Sequence, residues 1–421
     1  MKPIFLLLLS IACLHAETKI DELFVKAISD GNLNTIETLL ASGFNPDEPV
    51  HGYIPLYFAV ERNRIDVIQL LLADHADPNA PVSGQPAGRF NSTPLHLAVQ
   101  LGNLQAASTL LAAGAHADAK DWRGRTALHY AVTNSHLEVI RLLIHKGADL
   151  DVRDAEGASP LDEAVWHGSL DAVAMLLAHG ARLNEPDAAT GATPINEAAF
   201  LGDKVLVRYL LQFHPDLGLV DNHGRDPLGN AIKMEKEECS LLLLEAEPTE
   251  RQTPDFLEKT LETAVPKDES LLVADLLQRG ADVNRLLASG ATPLDLAAST
   301  GAAKVMRPLL ENGADPNAAS RDGASPLEDA SLRGFDSIAG MLLEHGADVN
   351  RINDGSQTTA LYAAASFGKA NVVKVLLSHA ANPNLCGGNR KTPYQTASGN
   401  GFGEVATIIK NHGGTITCSG R

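Results

Sequence analysis

The stretch Asp121–Asp151 reads DWRGRTALHYAVTNSHLEVIRLLIHKGADLD, and it is one copy of a unit that recurs along most of the chain. A period of this kind indicates a repeat protein, in which each unit is one supersecondary motif. Successive units begin 33 or 34 residues apart, except for one gap of 99 residues that spans three periods. The threonine or serine that opens each well-preserved unit is Thr93, Thr126, Ser159, Thr193, Thr292, Ser325, Thr359 or Thr392.

The opening of each unit predicts the start of a helix. In Thr93-Pro94 the threonine can accept a hydrogen bond from an unpaired helix amide, and the proline takes the first helical position, where no amide is needed. A short apolar helix, a glycine and a second helix with a leucine pair follow. The second helix ends at a glycine such as Gly147, which can adopt the left-handed conformation. One such unit cannot bury its apolar face alone, so consecutive units are predicted to stack.

These motifs resemble the ankyrin repeat, whose pattern runs T-P-L-H-x-A-A, then G, then V-V-x-L-L-L, then G-A-D-V-N. The resemblance covers roughly residues 20–418. It implies an all-α solenoid of about 12 stacked helix-turn-helix units with projecting β-turn or hairpin loops. We assign residues 17–244 to an N-terminal part with an insertion loop at 81–92, and residues 256–421 to a C-terminal part.

Residues 245–255, EAEPTERQTPD, are polar and contain two prolines. We expect them to form an irregular linker or bend, and we expect the repeat that follows to lack a Thr-Pro start. Two arrangements stay open at this point. The repeats form either one continuous but locally irregular stack or two stacks divided here.

Residues 1–16, MKPIFLLLLSIACLHA, have the pattern of a signal peptide. One lysine precedes the apolar run Ile4–Cys13, which is too short to cross a bilayer. Cleavage would make Glu17 the first residue of a periplasmic or secreted protein. Ser10–Cys13 also resembles a lipoprotein box, which would make Cys13 a lipid anchor, and an uncleaved cytosolic N-terminus is a third reading. We expect no membrane insertion by later segments.

Three further cysteines lie within the repeats. Cys239 takes the place of a valine in a second helix, so we expect it to be a small buried hydrophobe. Cys386 and Cys418 fall in nearly equivalent turns of the last two units. Stacked helix layers lie about 8–10 Å apart, whereas a disulfide needs α-carbons within about 7 Å. We therefore expect Cys386 and Cys418 not to pair unless the chain is distorted locally.

The sequence offers little to support catalysis. It contains no Walker P-loop, G-x-S-x-G, H-E-x-x-H or C-x-x-C pattern. Most of its histidines fall at motif and helix-end positions, and none shows metal-ligand spacing. The formal net charge of −18 disfavours nucleic acid, because phosphate binding needs clustered Lys and Arg. We expect no enzyme, no cofactor and no metal; the alternative is a hydrolase or metal site in the insertion or in residues 220–270.

The resemblance implies a protein partner, bound by the turn tips and the concave face of the first helices. Aromatic and arginine side chains predominate in interface hot spots. The alternative for two of the aromatics, Trp166 and Phe200, is that they only pack against each other. We predict a monomeric, exported interaction scaffold whose partner is an envelope or host protein, with a structural envelope lipoprotein as the alternative. The candidate partner-binding residues are Trp122, Arg123, Arg125, Tyr130, Glu163, Trp166, Glu197 and Phe200.

Overall fold

The structure, a computed structural model, describes residues 20–50, 54–81 and 91–419. The expected signal peptide, the candidate lipid anchor Cys13 and most of the insertion loop 81–92 lie outside the described residues. Contacts within the chain divide it into two compact units. Unit 1 comprises Met1–Ala198 and Arg208–Gly224, and unit 2 comprises Ala199–Val207 and Arg225–Arg421.

Unit 1 is built from consecutive pairs of short helices, and a short turn joins the first and second helix of each pair. Helix α1 covers residues 20–30. The next nine helices are α2 (Leu33–Ala41), α3 (Pro55–Glu61), α4 (Ile65–Ala73), α5 (Pro94–Gln100), α6 (Leu104–Ala112), α7 (Ala127–Thr133), α8 (Leu137–His145), α9 (Pro160–Trp166) and α10 (Leu170–Ala178). Helices α11 (Pro194–Leu201) and α12 (Lys204–Leu211) each contribute residues to both units.

Unit 2 continues the same pattern, and the all-α repeat fold predicted from the sequence is confirmed. Its helices are α13 (Pro227–Lys233), α14 (Glu237–Ala246), α15 (Pro254–Ala264), a 3₁₀ turn (Val265–Lys267), α16 (Ser270–Gln278), α17 (Pro293–Thr300), α18 (Ala303–Glu311), α19 (Pro326–Arg333), α20 (Asp336–Glu344), α21 (Ala360–Ser366), α22 (Ala370–Ser378), α23 (Pro393–Gly399) and α24 (Gly403–Asn411).

The motif histidine links one repeat to the next in unit 1. His96 Nδ1 accepts a hydrogen bond from the backbone amide of Thr93 at 3.1 Å, so the ring proton lies on Nε2. His96 Nε2 then donates to the carbonyl oxygen of Arg125, 3.1 Å away in the following repeat. Burial lowers the pKa of His96 and so favours the neutral ring, while the two hydrogen bonds select the tautomer. His129 repeats the arrangement with Thr126 and Ala158.

The glycine between the two helices of a repeat is required for two reasons. Its backbone has positive φ, and a side chain of the next repeat lies close to it. Gly301 has φ +82°, and a Cβ on it would lie 2.8 Å from the ring of Phe335 in the next repeat. Gly102 has φ +68°, and a Cβ there would lie 2.7 Å from the ring of His136. The predicted helix-breaking role of these glycines is confirmed, and close stacking is the second reason for them.

The turns between repeats are joined by a series of hydrogen bonds that we call the turn ladder. In each rung a backbone amide of one turn donates to the Asn or Asp side chain of the preceding turn. In unit 1 the amides of Asp77, His116, Asp149, Arg182 and Asp216 donate to Asp47, Asn79, Asp118, Asp151 and Asn184. In unit 2 the amides of Asp315, Asp348, Asn382 and Thr415 donate to Asn284, Asn317, Asn350 and Asn384.

The turn ladder explains the asparagine that ends the repeat motif. The Asn284 side chain accepts from the Asp315 amide at 2.8 Å through its oxygen. Its Nδ2 also donates to the carbonyl oxygen of Gly313 at 3.0 Å. An aspartate can make only the first of these two bonds, because an ionised carboxylate has no proton to donate.

The expectation that the repeat after residues 245–255 lacks a Thr-Pro start is wrong. Thr253 and Pro254, counted as linker in the sequence, begin helix α15, and the Thr253 hydroxyl accepts from the amide of Phe256 at 3.3 Å. The irregular part is the turn before it, where Gln252 Nε2 donates to the carbonyl of Glu247 at 2.8 Å. Residues 245–255 lie within unit 2.

The expectation that Cys386 and Cys418 do not pair is also wrong. They form a disulfide, with their α-carbons 5.5 Å apart. The spacing of helix layers does not apply to them, because both lie on inter-repeat turns. There the two backbones come within hydrogen-bonding distance, and the amide of Ser419 donates to the carbonyl of Asn384 at 2.9 Å. Cys239, in contrast, is a free buried thiol, as predicted.

Candidate partner-binding surface

Trp122 lies at the tip of the turn that precedes α7, with 49% of its surface exposed. The guanidinium carbon of Arg123 lies 4.9 Å from the centre of its ring, a cation–π arrangement. The tip is shaped by Asp121, whose Oδ1 accepts from the amides of Arg123 and Arg125, each at 2.9 Å. Sequence reasoning missed Asp121. The signal was an aspartate five residues before the helix cap, which recurs at Asp154.

Tyr130, in the middle of α7, supports this tip. Its hydroxyl donates to Asp121 Oδ2 at 2.6 Å, and its ring meets that of His96 edge-on with centroids 5.9 Å apart. Burial and, to a smaller extent, the hydrogen bond to Asp121 together raise the pKa of Tyr130 to about 12. The phenol therefore stays protonated and its hydroxyl stays hydrogen-bonded to Asp121. A partner would contact the ring rather than the hydroxyl.

Arg125 and Glu163 are bound to each other in the structure. Arg125 Nη2 forms an ion pair with Glu163 Oε1, and its Nε lies 3.2 Å from Asp154 Oδ2. The other oxygen of Glu163 accepts from the hydroxyl of Thr133 at 3.1 Å and lies 3.2 Å from His167 Nε2. The Arg125 and Glu163 side chains are only 15% and 9% exposed. This network connects successive repeats of unit 1.

Trp166 ends helix α9 with 56% of its surface exposed. On α11, in its part that belongs to unit 1, Glu197 Oε2 is buried and has no hydrogen-bond partner among the described residues. Burial raises the pKa of Glu197 to about 9, and the nearby carboxyls of Asp162, Asp187 and Glu163 contribute. Glu197 is therefore a neutral carboxylic acid at neutral pH.

Asp162 belongs to the same group of carboxyls. Its Oδ2 accepts from both the amide and the hydroxyl of Ser159, each at 2.8 Å, and so caps α9. Burial raises the pKa of Asp162 to about 6 in spite of these two bonds. Glu197 and Asp162 therefore stay protonated to a higher pH than an exposed carboxyl would.

The eight predicted residues are not brought into one compact unit. Phe200, 36% exposed, falls in unit 2, whereas the other seven lie in unit 1. Within the part of the chain that is described, no three His, Cys, Asp or Glu side chains are placed to hold a metal ion. Over the same residues, no helix is long and apolar enough to cross a membrane.

Comparison with known proteins agrees with the repeat architecture. The family profile for ankyrin repeats in three copies matches residues 4–82, 95–187, 161–252 and 261–353. A second profile, for ankyrin repeats in many copies, matches residues 330–377. Together these matches cover most of the chain.

Two individual proteins are similar to parts of it. The palmitoyltransferase Hip14 of Drosophila melanogaster is 34% identical over 101 residues, which are 24% of this chain and 15% of that protein. The crystal structure of the ankyrin-repeat domain of Bcl-3, a member of the IkappaB family, is 31% identical. That match covers 49% of this chain and 92% of the Bcl-3 chain, with a TM-score of 0.46. With repeats matched along most of its length, the chain belongs to the ankyrin-repeat family, whose repeats serve as scaffolds for protein–protein interaction.

Proposed function

We propose that this protein is a non-catalytic scaffold that acts outside the cytoplasm and binds a protein partner through a surface in unit 1. We call it the tryptophan surface and define it by Trp122, Arg123, Trp166 and Glu197. The observation that carries the proposal is the exposure of Trp122 and Trp166, at 49% and 56%. They are the only two tryptophans of the chain, and they lie in consecutive repeats of one unit.

Exposed tryptophans cost solvation free energy that a partner can recover. Burying an aromatic ring of this size at an interface removes a large apolar area from water, and tryptophan and arginine predominate among residues whose loss weakens binding most. Arg123 stacked on Trp122 offers a cation and a flat apolar face together. The turn tip is positioned by the contacts of Arg125, Tyr130 and Glu163. Phe200 is a separate candidate contact residue in unit 2.

Glu197 gives the tryptophan surface a hydrogen-bonding group that the chain leaves unused. Its buried Oε2 has no partner within the described residues. Recovering the free-energy cost of this unsatisfied atom requires the Glu197 side chain to turn toward the partner, because Oε2 has almost no accessible surface. As a protonated acid, Glu197 can donate to a carbonyl oxygen of the partner.

Two features support action in an oxidising compartment. The N-terminal segment has the pattern of a signal peptide, and Cys386 and Cys418 form a disulfide. Disulfides persist in the periplasm and outside cells but are rare in the cytosol. We propose a monomeric periplasmic or secreted protein. The lipoprotein alternative predicts acylated Cys13.

Similarity to Hip14 does not favour an enzyme. The aligned part spans 15% of that protein. The chain also lacks the nucleophile and metal motifs on which hydrolases and metalloenzymes depend. We therefore propose binding without catalysis, and no nucleic acid or membrane lipid as the partner.

The binding proposal is tested by affinity capture from the producer's envelope fraction and its culture medium, followed by titration of the purified protein that is retained. We expect the Trp122→Ala/Trp166→Ala variant to bind it at least about tenfold more weakly, as expected for hot-spot residues. Phe367→Ala is the matched control, because Phe367 is an aromatic residue 57% exposed in unit 2. Equal affinity of all three proteins, or a clear loss of thermal stability in the tryptophan variant, would overturn the proposal.

The export proposal has its own measurement, intact-mass analysis of the protein recovered from its producer. A chain that starts at Glu17 supports cleavage and export. An acyl group on Cys13 supports the lipoprotein alternative. A chain that retains residues 1–16 and lacks the disulfide would contradict export.

A further inference from the structure

The last rung of the turn ladder joins Thr415 to Asn384, and it differs from the other rungs because a disulfide also joins its two turns. Asn384 Oδ1 accepts from the amide and the hydroxyl of Thr415, at 2.7 and 2.9 Å. Asn384 Nδ2 donates to the carbonyl of Gly413 at 3.0 Å. Three residues beyond Thr415, the Cys386–Cys418 disulfide joins the same two turns. We call residues 413–419 the closing segment.

Two further hydrogen bonds join the closing segment to the last repeat. The hydroxyl of Thr392, which caps α23, donates to the carbonyl of Thr415 at 2.7 Å. The amide of Ser419 donates to the carbonyl of Asn384 at 2.9 Å. The start of α23 and the turn at Asn384 therefore both depend on the closing segment staying in place.

The closing segment buries little apolar surface, so apolar burial contributes little to holding it in place. Ile416 is 66% exposed, and Thr415, Thr417 and Cys418 are also exposed. Hydrogen bonds that water can replace stabilise only weakly. Segments with few buried apolar contacts open readily. The disulfide is therefore the strongest link between the closing segment and the turn at residues 384–391.

We propose that the Cys386–Cys418 disulfide is a redox switch for this end of unit 2, fixing the closing segment when oxidised and releasing it when reduced. A dithiol reductant supplies two electrons and two protons. Its thiolate attacks Cys418, the S–S bond breaks, and the resulting mixed disulfide resolves to give free Cys386 and Cys418 thiols and the oxidised reductant. Cys418 is exposed, which gives a reductant access. The reverse exchange closes the switch in an oxidising compartment.

Cys239 does not interfere with this exchange. Its side chain is 1% exposed, and burial raises the pKa of its thiol to about 11. A buried thiol without thiolate character is a poor nucleophile. Of the three cysteines in the described residues, the switch therefore involves Cys386 and Cys418 and not Cys239. It does not depend on the tryptophan surface, which lies in unit 1.

Hydrogen exchange followed by mass spectrometry tests the proposal on the full protein, with and without dithiothreitol. We expect reduction to speed amide exchange about a hundredfold in residues 384–419, because closing a loop of this length strongly disfavours the open state. Exchange in α5 to α8 of unit 1 should not change. Alkylation of Cys386 and Cys418 before and after reduction reports the state of the bond.

The Cys386→Ser/Cys418→Ser variant provides the matched control. It should exchange like the reduced wild-type protein, and dithiothreitol should have no further effect on it. Equal exchange of residues 384–419 in oxidised and reduced wild-type protein would overturn the proposal. So would a variant that matches the oxidised protein, or free thiols at both cysteines in protein recovered from an oxidising compartment.

Discussion

The carboxylate of Asp268 accepts hydrogen bonds from the backbone amides of Lys304 and Val305, at 2.8 and 3.0 Å, and so caps helix α18 of the following repeat. Helix α18 has Ala302 at its own cap position, which offers no side-chain acceptor. Asp268 adopts φ +58° directly after the 3₁₀ turn that contains Pro266. The irregular part of unit 2 thereby provides a cap that the next repeat does not encode locally.

Asp268→Ala should lower the free energy of unfolding by about 1–2 kcal/mol, the usual cost of losing a helix cap. Urea unfolding followed by circular dichroism measures it. Asp268→Asn is the control, because asparagine keeps the acceptor oxygen and tolerates positive φ. Loss of stability in both variants alike would show that the carboxylate charge, rather than the cap, matters.

Two glycine substitutions in unit 2 should have opposite effects. Gly301→Ala forces positive φ on alanine and places a Cβ 2.8 Å from the Phe335 ring. The backbone alone should cost about 1–2 kcal/mol. Gly340→Ala, in the interior of α20, meets nothing within 4 Å and should stabilise by about 0.5–1 kcal/mol. Thermal unfolding of the two variants side by side checks both signs, and a stabilised Gly301→Ala would refute the stacking explanation.

Stability should fall as the pH rises, through the carboxyls of Asp295 and Asp329. Asp295 is 2% exposed, and within residues 20–50, 54–81 and 91–419 its Oδ1 has no hydrogen-bond partner. Burial raises the pKa of Asp295 to about 8, and Asp329 across the repeat interface contributes. Burial also raises the pKa of Asp329, although Arg333 opposes this. The carboxyls of Asp322 and Glu328 face the same pair.

A folded-state pKa above the unfolded value near 4 gives stability that is complete at about pH 4 and is lost as the pH rises to about 8. One such group contributes a slope of at most about 1.4 kcal/mol per pH unit. Asp295→Asn should reduce the fall in the free energy of unfolding between pH 5 and 9, as measured by urea unfolding at each pH. Asp354→Asn, at an exposed turn, should keep the wild-type slope. An unchanged slope in Asp295→Asn would mean that Asp295 is ionised throughout.

Arg125→Ala should lower the free energy of unfolding by about 3–5 kcal/mol, because it leaves Glu163 and Asp154 buried without their cation. Arg123→Ala, which removes only a cation–π contact at an exposed tip, should cost about 1 kcal/mol or less. Chemical denaturation of both variants tests the difference. Equal effects would indicate that Arg125 is accessible enough to meet a partner directly.

The tryptophan surface was only partly predictable. Exposure of Trp166 followed from register, because the position after the motif's alanine pair is expected to face the groove, and exposure of Trp122 followed from its place at a turn tip. Burial of Arg125 and Glu163 did not follow, since the ion pair forms between side chains 38 residues apart in sequence. The role of Asp121 was missed because aspartate is common in turns, and only the structure shows that two backbone amides donate to this one.

The sequence by itself determined the repeat, its helix starts at residues such as Thr93 and its breaks at residues such as Gly301. These signals are local, since each helix cap and each positive φ is specified within a few residues. Tertiary structure decided the Cys386–Cys418 bond, the cap from Asp268 to α18 and the division into two compact units. Those features depend on how side chains about one repeat apart meet when units stack, and stacking geometry is set by packing rather than by the local pattern.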